Sequence, residues 1–427
     1  MIKEKKILEK KKNKIFIYYL GCPRRGLDAK KIQTYFQKNN YELVFKPEDA
    51  NIIFFITCAL SNNMAEVSFN KIEEFQKYDA EVIVGGCLPG IEKEKLNLLF
   101  HGKKINTKDI DEIDNYFPDN KIKFKDIEDT HEVFINTIEN KSLYSIKKNS
   151  KIKDFLLKKF IGKYSFVYNT FLKNKDGYYI RIGWGCLGKC SYCKIRDGIG
   201  KLKDKTFYKC IKEIKDGINK GNKYFVIEAD DTGAYGFNTE NNITKILDEI
   251  TKLPGDFLIS INNFHPVWLV KYVDELEEIL KRKKIISMTI PIQSGSSRIL
   301  RLMQRYSNVE KMKKTIIRLQ KIHPNLKIAT HFIIGFPTEN EEDFQKTLDL
   351  IKELNLSVGI CFKFSCRKGT PAEKIEPKIS PNIILKRYNR FKKFVKKEGF
   401  KAMLYPKKNA LIFEKNNFYI DCVEYLK

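Results

Sequence analysis

The run Ile52-Ile53-Phe54-Phe55-Ile56-Thr57-Cys58 decides the fold. It carries no charge and no alternation of polar with apolar residues. A strand made from it must be covered on both faces, which is the condition of a strand inside a parallel sheet. Two other runs repeat the pattern: Ile15-Phe16-Ile17-Tyr18-Tyr19-Leu20-Gly21-Cys22 before it, and Val82-Ile83-Val84-Gly85-Gly86-Cys87 after it. Residues 28–39 and 62–77, between the runs, have helical spacing. In a parallel sheet the carboxyl ends of the strands share one edge, where ligands bind. Each run ends in a cysteine, so Cys22, Cys58 and Cys87, 36 and 29 positions apart, are expected to meet at that edge.

The second half repeats the alternation more often. Strand-like runs fall at 178–184, 224–229, 257–262, 287–293, 328–336 and 358–365, with helical stretches such as 297–303, 309–323 and 341–354 between them. Six βα units with right-handed crossovers curl into a barrel or partial barrel. Residues 104–175 are rich in Lys and Asp and weakly periodic, and are read as the end of the first domain and a linker with a helix near 154–164. A helix over 381–398 is followed by short strand-like runs at 400–405, 409–413 and 418–425. A five-stranded barrel needs roughly 45 residues, and residues 400–427 number 28. The expected layout is a basic tail (1–14), an α/β domain (15–130), a linker (131–176), a barrel domain (177–399) and a short β-containing tail (400–427).

Composition narrows the function classes. Of 427 residues 42% are hydrophobic and 31% charged, which excludes disorder throughout. No stretch nears ~18 uncharged apolar residues, so no membrane span is expected. With no signal-like start either, the expected location is cytoplasmic. Lys plus Arg (80) over Asp plus Glu (53) leaves +27, a balance that suits a polyanionic partner such as nucleic acid. The alternative is composition bias, because 68 of the basic residues are lysine and only 12 arginine. Ten cysteines in such a chain point to metal rather than a disulfide framework.

The first barrel strand runs into Gly185-Cys186-Leu187-Gly188-Lys189-Cys190-Ser191-Tyr192-Cys193. Three thiolates within eight residues can wrap one iron–sulfur cube and leave one iron open to another ligand. Zinc is the rival, but a closed zinc site wants four ligands and no histidine follows nearby.

C-x-x-x-C-x-x-C with an aromatic residue before its last cysteine resembles the radical S-adenosylmethionine (SAM) enzymes. Further runs are similar to those of the methylthiotransferases within that group: Ile290-Pro291-Ile292-Gln293-Ser294-Gly295-Ser296-Ser297-Arg298-Ile299-Leu300 through Met303 and Arg305, then Gly335-Phe336-Pro337 with Glu339, Glu341, Glu342, Asp343 and Phe344, then Gly369-Thr370-Pro371-Ala372. Gly21-Cys22, Thr57-Cys58-Ala59 and Gly86-Cys87-Leu88 match that family's amino-terminal cysteines. Asp231-Thr232-Gly233-Ala234-Tyr235-Gly236 resembles its archaeal and eukaryotic branch, which modifies threonylcarbamoyladenosine in tRNA. Departures are Ile56 for the family's Asn, Glu228-Ala229 for its Thr-Gly, Thr338 for a Gly, no Arg at the family's place after Cys193, and a carboxyl-terminal RNA-binding (TRAM) barrel that is missing or reduced.

The resemblance implies an α/β architecture in which an amino-terminal parallel sheet domain precedes a radical SAM partial (β/α)6 barrel. It implies two 4Fe–4S clusters, one on Cys186, Cys190 and Cys193 and one on Cys22, Cys58 and Cys87, with SAM chelated by the open iron of the first. In the family one SAM methylates a sulfur carried by the second cluster, and another yields a 5′-deoxyadenosyl radical that opens a C–H bond. Tyr192 would lie against the adenine, and Asp230, Asp231, Gln293 and Ser294 would belong to the SAM pocket. An electron donor such as flavodoxin or ferredoxin is implied.

Smaller signals are weighed on their residues. His265 and His331, near strand ends, could touch SAM or substrate, or only pack. Cys210, Cys361, Cys366 and Cys422 lack ligand spacing and read as structural, and Lys10 to Lys14 reads as a solvated tail. Three functions stay open: methylthiolation of a tRNA adenosine, methylthiolation of a protein or peptide side chain, and a non-catalytic iron–sulfur protein that binds RNA or carries electrons.

Overall fold

The computed structural model describes residues 13–134, 136, 177–405 and 410–415. The lysine run up to residue 12, the expected helix near 154–164, the run 418–425 and Cys422 lie outside the described residues.

The first domain is a five-stranded, all-parallel sheet. Its strands are β1 (Lys14–Tyr19), β2 (Glu42–Leu43), β3 (Ile52–Thr57), β4 (Glu81–Gly86) and β5 (Lys103–Asn106), in the order β2-β1-β3-β4-β5. Both faces are covered, as the apolar runs require. Ile15, Ile17, Phe54, Ile56 and Ile83 enter one core, while Phe16, Ile53, Phe55, Val82 and Val84 enter another, which is the period of two that a pleated strand imposes. The helix Pro23–Lys38 starts five residues earlier than its apolar spacing suggests. Pro23 is pre-set for the first helical position, so Cys22 becomes the helix's amino-terminal flank. The structure also carries the domain past residue 130: Phe134 is buried in its core, and the Asn136 amide both accepts from and donates to the Tyr19 backbone at 2.9 Å.

Six parallel strands form the partial barrel: β6 (Tyr178–Arg181), β9 (Tyr224–Glu228), β10 (Leu258–Ile261), β11 (Ile285–Thr289), β12 (Lys327–Ile334) and β13 (Val358–Lys363), adjacent in that order. The first expected strand run breaks at Ile182. Its continuation, β7 (Gly183–Trp184), leaves the sheet and pairs antiparallel with β8 (Lys203–Asp204), clasping the ends of the cysteine loop. Gly185 turns that loop with φ +74°, and a Cβ there would lie 2.0 Å from the Lys201 carbonyl. The run at 287–293 stays extended only in part. Pro291 has no N–H to give to the ladder, and pairing resumes as a single bridge at Gln293.

The carboxyl-terminal runs are not a separate tail as far as they are described. β14 (Lys401–Tyr405) and β15 (Ala410–Glu414) form an antiparallel pair that joins β13 and ends the barrel sheet. No helix among the described residues is long and apolar enough to cross a membrane.

Candidate active site

A cavity of about 1360 Å³ opens where the carboxyl edges of the two sheets face each other. Cys22 lines it from the first domain, and Cys186, Cys190 and Cys193 from the barrel. Cys58 and Cys87 sit just behind Cys22. A Cβ on Gly21 would lie 3.8 Å from the Cys58 Cβ, and Cys22 and Cys58 both act electrostatically on the Cys87 thiol. The nine described cysteines are free thiols.

Backbone economy explains why the first three thiols meet. Thr57, the last residue of β3, donates its hydroxyl to the Gly85 carbonyl at 2.6 Å and accepts from Leu88 N–H at 3.2 Å. The Thr57 carbonyl accepts from Cys87 N–H at 3.2 Å. Ser68, from the helix Asn62–Phe75, clamps the Cys58 backbone on both its N–H and its carbonyl. Gly86 holds φ +96° and would place a Cβ 2.5 Å from the Thr57 carbonyl, so the β4 thiol can approach only past a glycine.

The barrel triplet fits a cube by its donor set and its free volume. Gly188 N–H points at the Cys186 sulfur at 3.1 Å and Arg305 Nη1 at the Cys190 sulfur at 3.3 Å. A Cβ on Gly188 would stand 3.2 Å from the Cys186 sulfur and 3.7 Å from that of Cys190, filling the cradle. Burial pushes the Cys186 and Cys87 thiols up to about 12 and that of Cys193 up to about 11. Such thiols become thiolates at neutral pH when a cation takes the proton's place. Among the described residues no three His, Cys, Asp or Glu side chains close around a single ion; ligands of a cube stand further apart, at its corners.

The predicted pocket residues divide. Tyr192, Asp230 and Gln293 line the cavity. Gln293 holds φ +78°, and its buried Oε1 has no hydrogen-bond partner among the described residues. Asp230 accepts from Gly185 N–H at 3.1 Å, linking it to the cysteine loop. Asp231 and Ser294 turn away from the cavity. Asp231 is tied to Trp268 Nε1 at 3.1 Å and His265 Nδ1 at 3.2 Å. Ser294 accepts from Ser296 N–H and lies against the Thr347 hydroxyl. His265 and His331 both line the space.

Several lining groups were not read from the sequence. Arg24 bridges the domains, with Nη1 2.7 Å from Glu228 and Nε 2.8 Å from Asp230. Glu228 also accepts from Asn262 and Asn263. Arg25 pairs with Asp28 and reaches within 3.8 Å of the Cys87 sulfur, and Asp28 is shared with Arg181 of the barrel. Arg367 donates to the Ala59 carbonyl and pairs with Glu92, on the opposite side of the seam.

The seam also closes at the two cysteine loops. The helix Leu88–Ile91, just after Cys87, packs on the helix Ile195–Ile199, just after Cys193. A Cβ on Gly90 would lie 2.4 Å from the Asp197 carbonyl, and one on Gly198 2.9 Å from that of Cys87. Gly90→Ala is therefore expected to push the loops apart and cost about 1–3 kcal/mol, read as a lowered thermal midpoint. An unchanged midpoint would mean that the loops do not touch.

The chain is similar to known proteins in sequence and in fold. Residues 180–351 match the Radical SAM superfamily, and residues 14–108 match the Uncharacterized protein family UPF0004. A probable threonylcarbamoyladenosine tRNA methylthiotransferase of Pyrococcus abyssi is 30% identical over 84% of this chain and 79% of its own length. The ribosomal protein uS12 methylthiotransferase RimO of Thermodesulfovibrio yellowstonii is 29% identical over 92% of this chain and 85% of its own. Among solved structures, the radical SAM methyltransferase TsrM of Kitasatospora setae superposes with a TM-score of 0.57 at 11% identity, over 84% of this chain and 75% of that one.

Proposed function

This chain belongs to the radical SAM methylthiotransferase family, and from that premise we propose that it replaces a C–H bond of threonylcarbamoyladenosine, beside a tRNA anticodon, with C–SCH3. The observation that carries the reading is the single cavity shared by Cys22 and the barrel triplet. Cys186, Cys190 and Cys193 would hold one 4Fe–4S cluster, which with SAM would supply the radical chemistry, and Cys22, Cys58 and Cys87 would hold a second, which would supply the sulfur. Each turnover uses two SAM, and the electron comes from a flavodoxin- or ferredoxin-like donor.

The chain's own residues divide the cavity into two walls. On the β9–β11 side stand Glu228, Asp230, Asn262, Asn263 and Thr289, polar groups suited to the hydroxyls SAM carries, with both carboxylates paired to Arg24. On the β12–β13 side stand His331, Ile333, Ile360, Phe362 and Phe364. The register pairs His331 with Ile360 and Ile333 with Phe362, so these side chains share one face of the sheet. A partly buried, mostly apolar wall with two phenyl rings suits a nucleobase, which stacks on aromatic side chains. That wall, with the net charge of +27, favours RNA over the peptide substrate.

The deciding experiment is mass spectrometry of total tRNA nucleosides from cells with and without the gene. The reading expects one methylthiolated adenosine to vanish; if no methylthiolated nucleoside changes, the tRNA assignment is lost. The wall has its own test. A base–aromatic stack is worth about 1–3 kcal/mol, so Phe362→Ala is expected to raise KM for tRNA by about tenfold, and Phe362→Tyr to restore it. Equal KM values in all three proteins would remove the stacking role.

A further inference from the structure

The helix Pro381–Lys397 carries seven basic residues and no acid. Arg387, Tyr388, Phe391 and Val395 face the barrel and are buried. Arg387 is neutralised by Glu339 and Glu341, and Arg390 by Glu341. Lys386, Lys393, Lys396 and Lys397 are exposed, and none of them forms an ion pair or hydrogen bond among the described residues. Lys386, Lys393 and Lys397 are spaced i, i+7 and i+11, on one outward stripe about 16 Å long, with Lys396 beside it.

Other long helices mix paired with unpaired lysines: Lys215, Lys311 and Lys352 are exposed without an acid partner among the described residues, but each of their helices also holds paired ones. Lys212 pairs with Asp216 at 2.7 Å, Lys245 with Glu249 at 3.2 Å, Lys252 with Asp248 at 2.6 Å, Lys313 with Glu310 at 2.8 Å and Lys346 with Glu342 at 2.7 Å. Composition bias alone would leave the same mixture of partners on every helix. The unpaired stripe is also placed with respect to the cavity. Its helix begins near the carboxyl end of β12, where Ile384 fills the space beside Gly335, two residues beyond the cavity-lining residue Ile333. It then runs back down the outside of the barrel. Phe391 meets Phe332 and Phe413, and the chain re-enters the sheet at Lys401, level through Glu414 with Val358 at the start of β13.

We propose that this lysine stripe is a docking surface for the phosphate backbone of the RNA substrate, leading from the outer wall of the barrel to the cavity mouth. The inference rests on the tRNA reading above. Lysines without acid partners meet phosphates by releasing counterions, and each contact contributes close to one unit to the salt slope of binding.

The test uses the full chain, reconstituted without oxygen, and tRNA that already carries threonylcarbamoyladenosine. Lys386, Lys393, Lys396 and Lys397 are changed together to Gln, and a control carries Lys77→Gln, Lys93→Gln, Lys121→Gln and Lys125→Gln on the first domain. The stripe variant is expected to bind tRNA about tenfold or more weakly at 50 mM salt, with a log–log salt slope smaller by about 3. SAM cleavage without tRNA should be unchanged, showing an intact fold, and the control should keep the parent slope. Three binding results overturn the proposal, besides the activity result below: equal slopes in stripe variant and parent, equal losses in stripe and control, or unchanged tRNA binding with slowed reduction by an acidic electron carrier, which would assign the stripe to a protein. Wild-type chain that methylthiolates tRNA while the stripe variant matches it would end this proposal and leave the function standing.

Discussion

Replacing Cys87 with alanine is expected to leave about four irons per chain where the parent holds about eight, and to stop methylthio transfer while SAM cleavage continues. Cys87 follows β4, behind Cys22 and Cys58, its place set by Gly86 and the Thr57 carbonyl. Its thiol is pushed up to about 12 by burial, while Arg25 pulls it part of the way back. Without a cation to displace the proton it stays neutral at physiological pH, so its proximity to two other thiols makes sense as one corner of a cluster site. Two thiols cannot hold a cube as three do. The barrel triplet, built from a separate loop clasped by β7 and β8, should still load its own. Cys190→Ala should give the converse, about four irons with neither SAM cleavage nor transfer. Cys361→Ala is the control: that thiol is fully buried in the barrel core and away from both triplets, so iron content should not move. A parent saturating at about four irons, or a Cys87→Ala enzyme that still transfers the group, would falsify the two-cluster account.

What could be read from the chain followed from burial and period. A strand apolar on both faces is visible because every residue must be covered, and β1, β3 and β4 were legible for that reason. β5 was not. Its Lys103 and Lys104 are the charged residues that an edge strand tolerates, so it read as irregular chain. The thiols were legible because their positions repeat within each βα unit. Glu228, Asn262 and Asn263 were hidden, since polar residues at strand ends look like ordinary turn residues until the strands are side by side. One signal lay in plain view. The chain keeps only 12 arginines beside 68 lysines, and six of them, Arg24, Arg25, Arg181, Arg196, Arg305 and Arg367, line or gird the cavity. A planar fork that grips two acceptors is the one thing a lysine cannot replace. In a chain this biased toward lysine, retained arginines mark where that geometry is needed.

Arg24 carries the second large expectation. It stands two residues after Cys22, yet both of its carboxylate partners belong to the barrel. Its own carbonyl accepts from Arg181, which also holds Asp28. One guanidinium therefore ties the first thiol of the amino-terminal triplet to the strand end that carries Asp230, and Asp230 in turn holds Gly185 at the entrance to the barrel triplet. Arg24→Ala leaves Glu228 and Asp230 facing the cavity without their cation. Breaking a buried pair from one side costs about 3–5 kcal/mol, and the Arg24 side chain is 19% exposed, so the lower end is expected. Methylthio transfer should fall by about 100-fold, because the reacting groups of the two domains lose their register. Arg24→Lys restores a charge but spans one carboxylate at a time, and should recover stability better than transfer. A positioning role predicts more than lost stability: combining Arg24→Ala with Glu228→Gln should recover part of the thermal midpoint, since the second change removes the stranded charge. If the two substitutions add independently, or if Arg24→Ala melts lower but transfers the group at the parent rate, Arg24 is a fastening and not the residue that sets the domains in register.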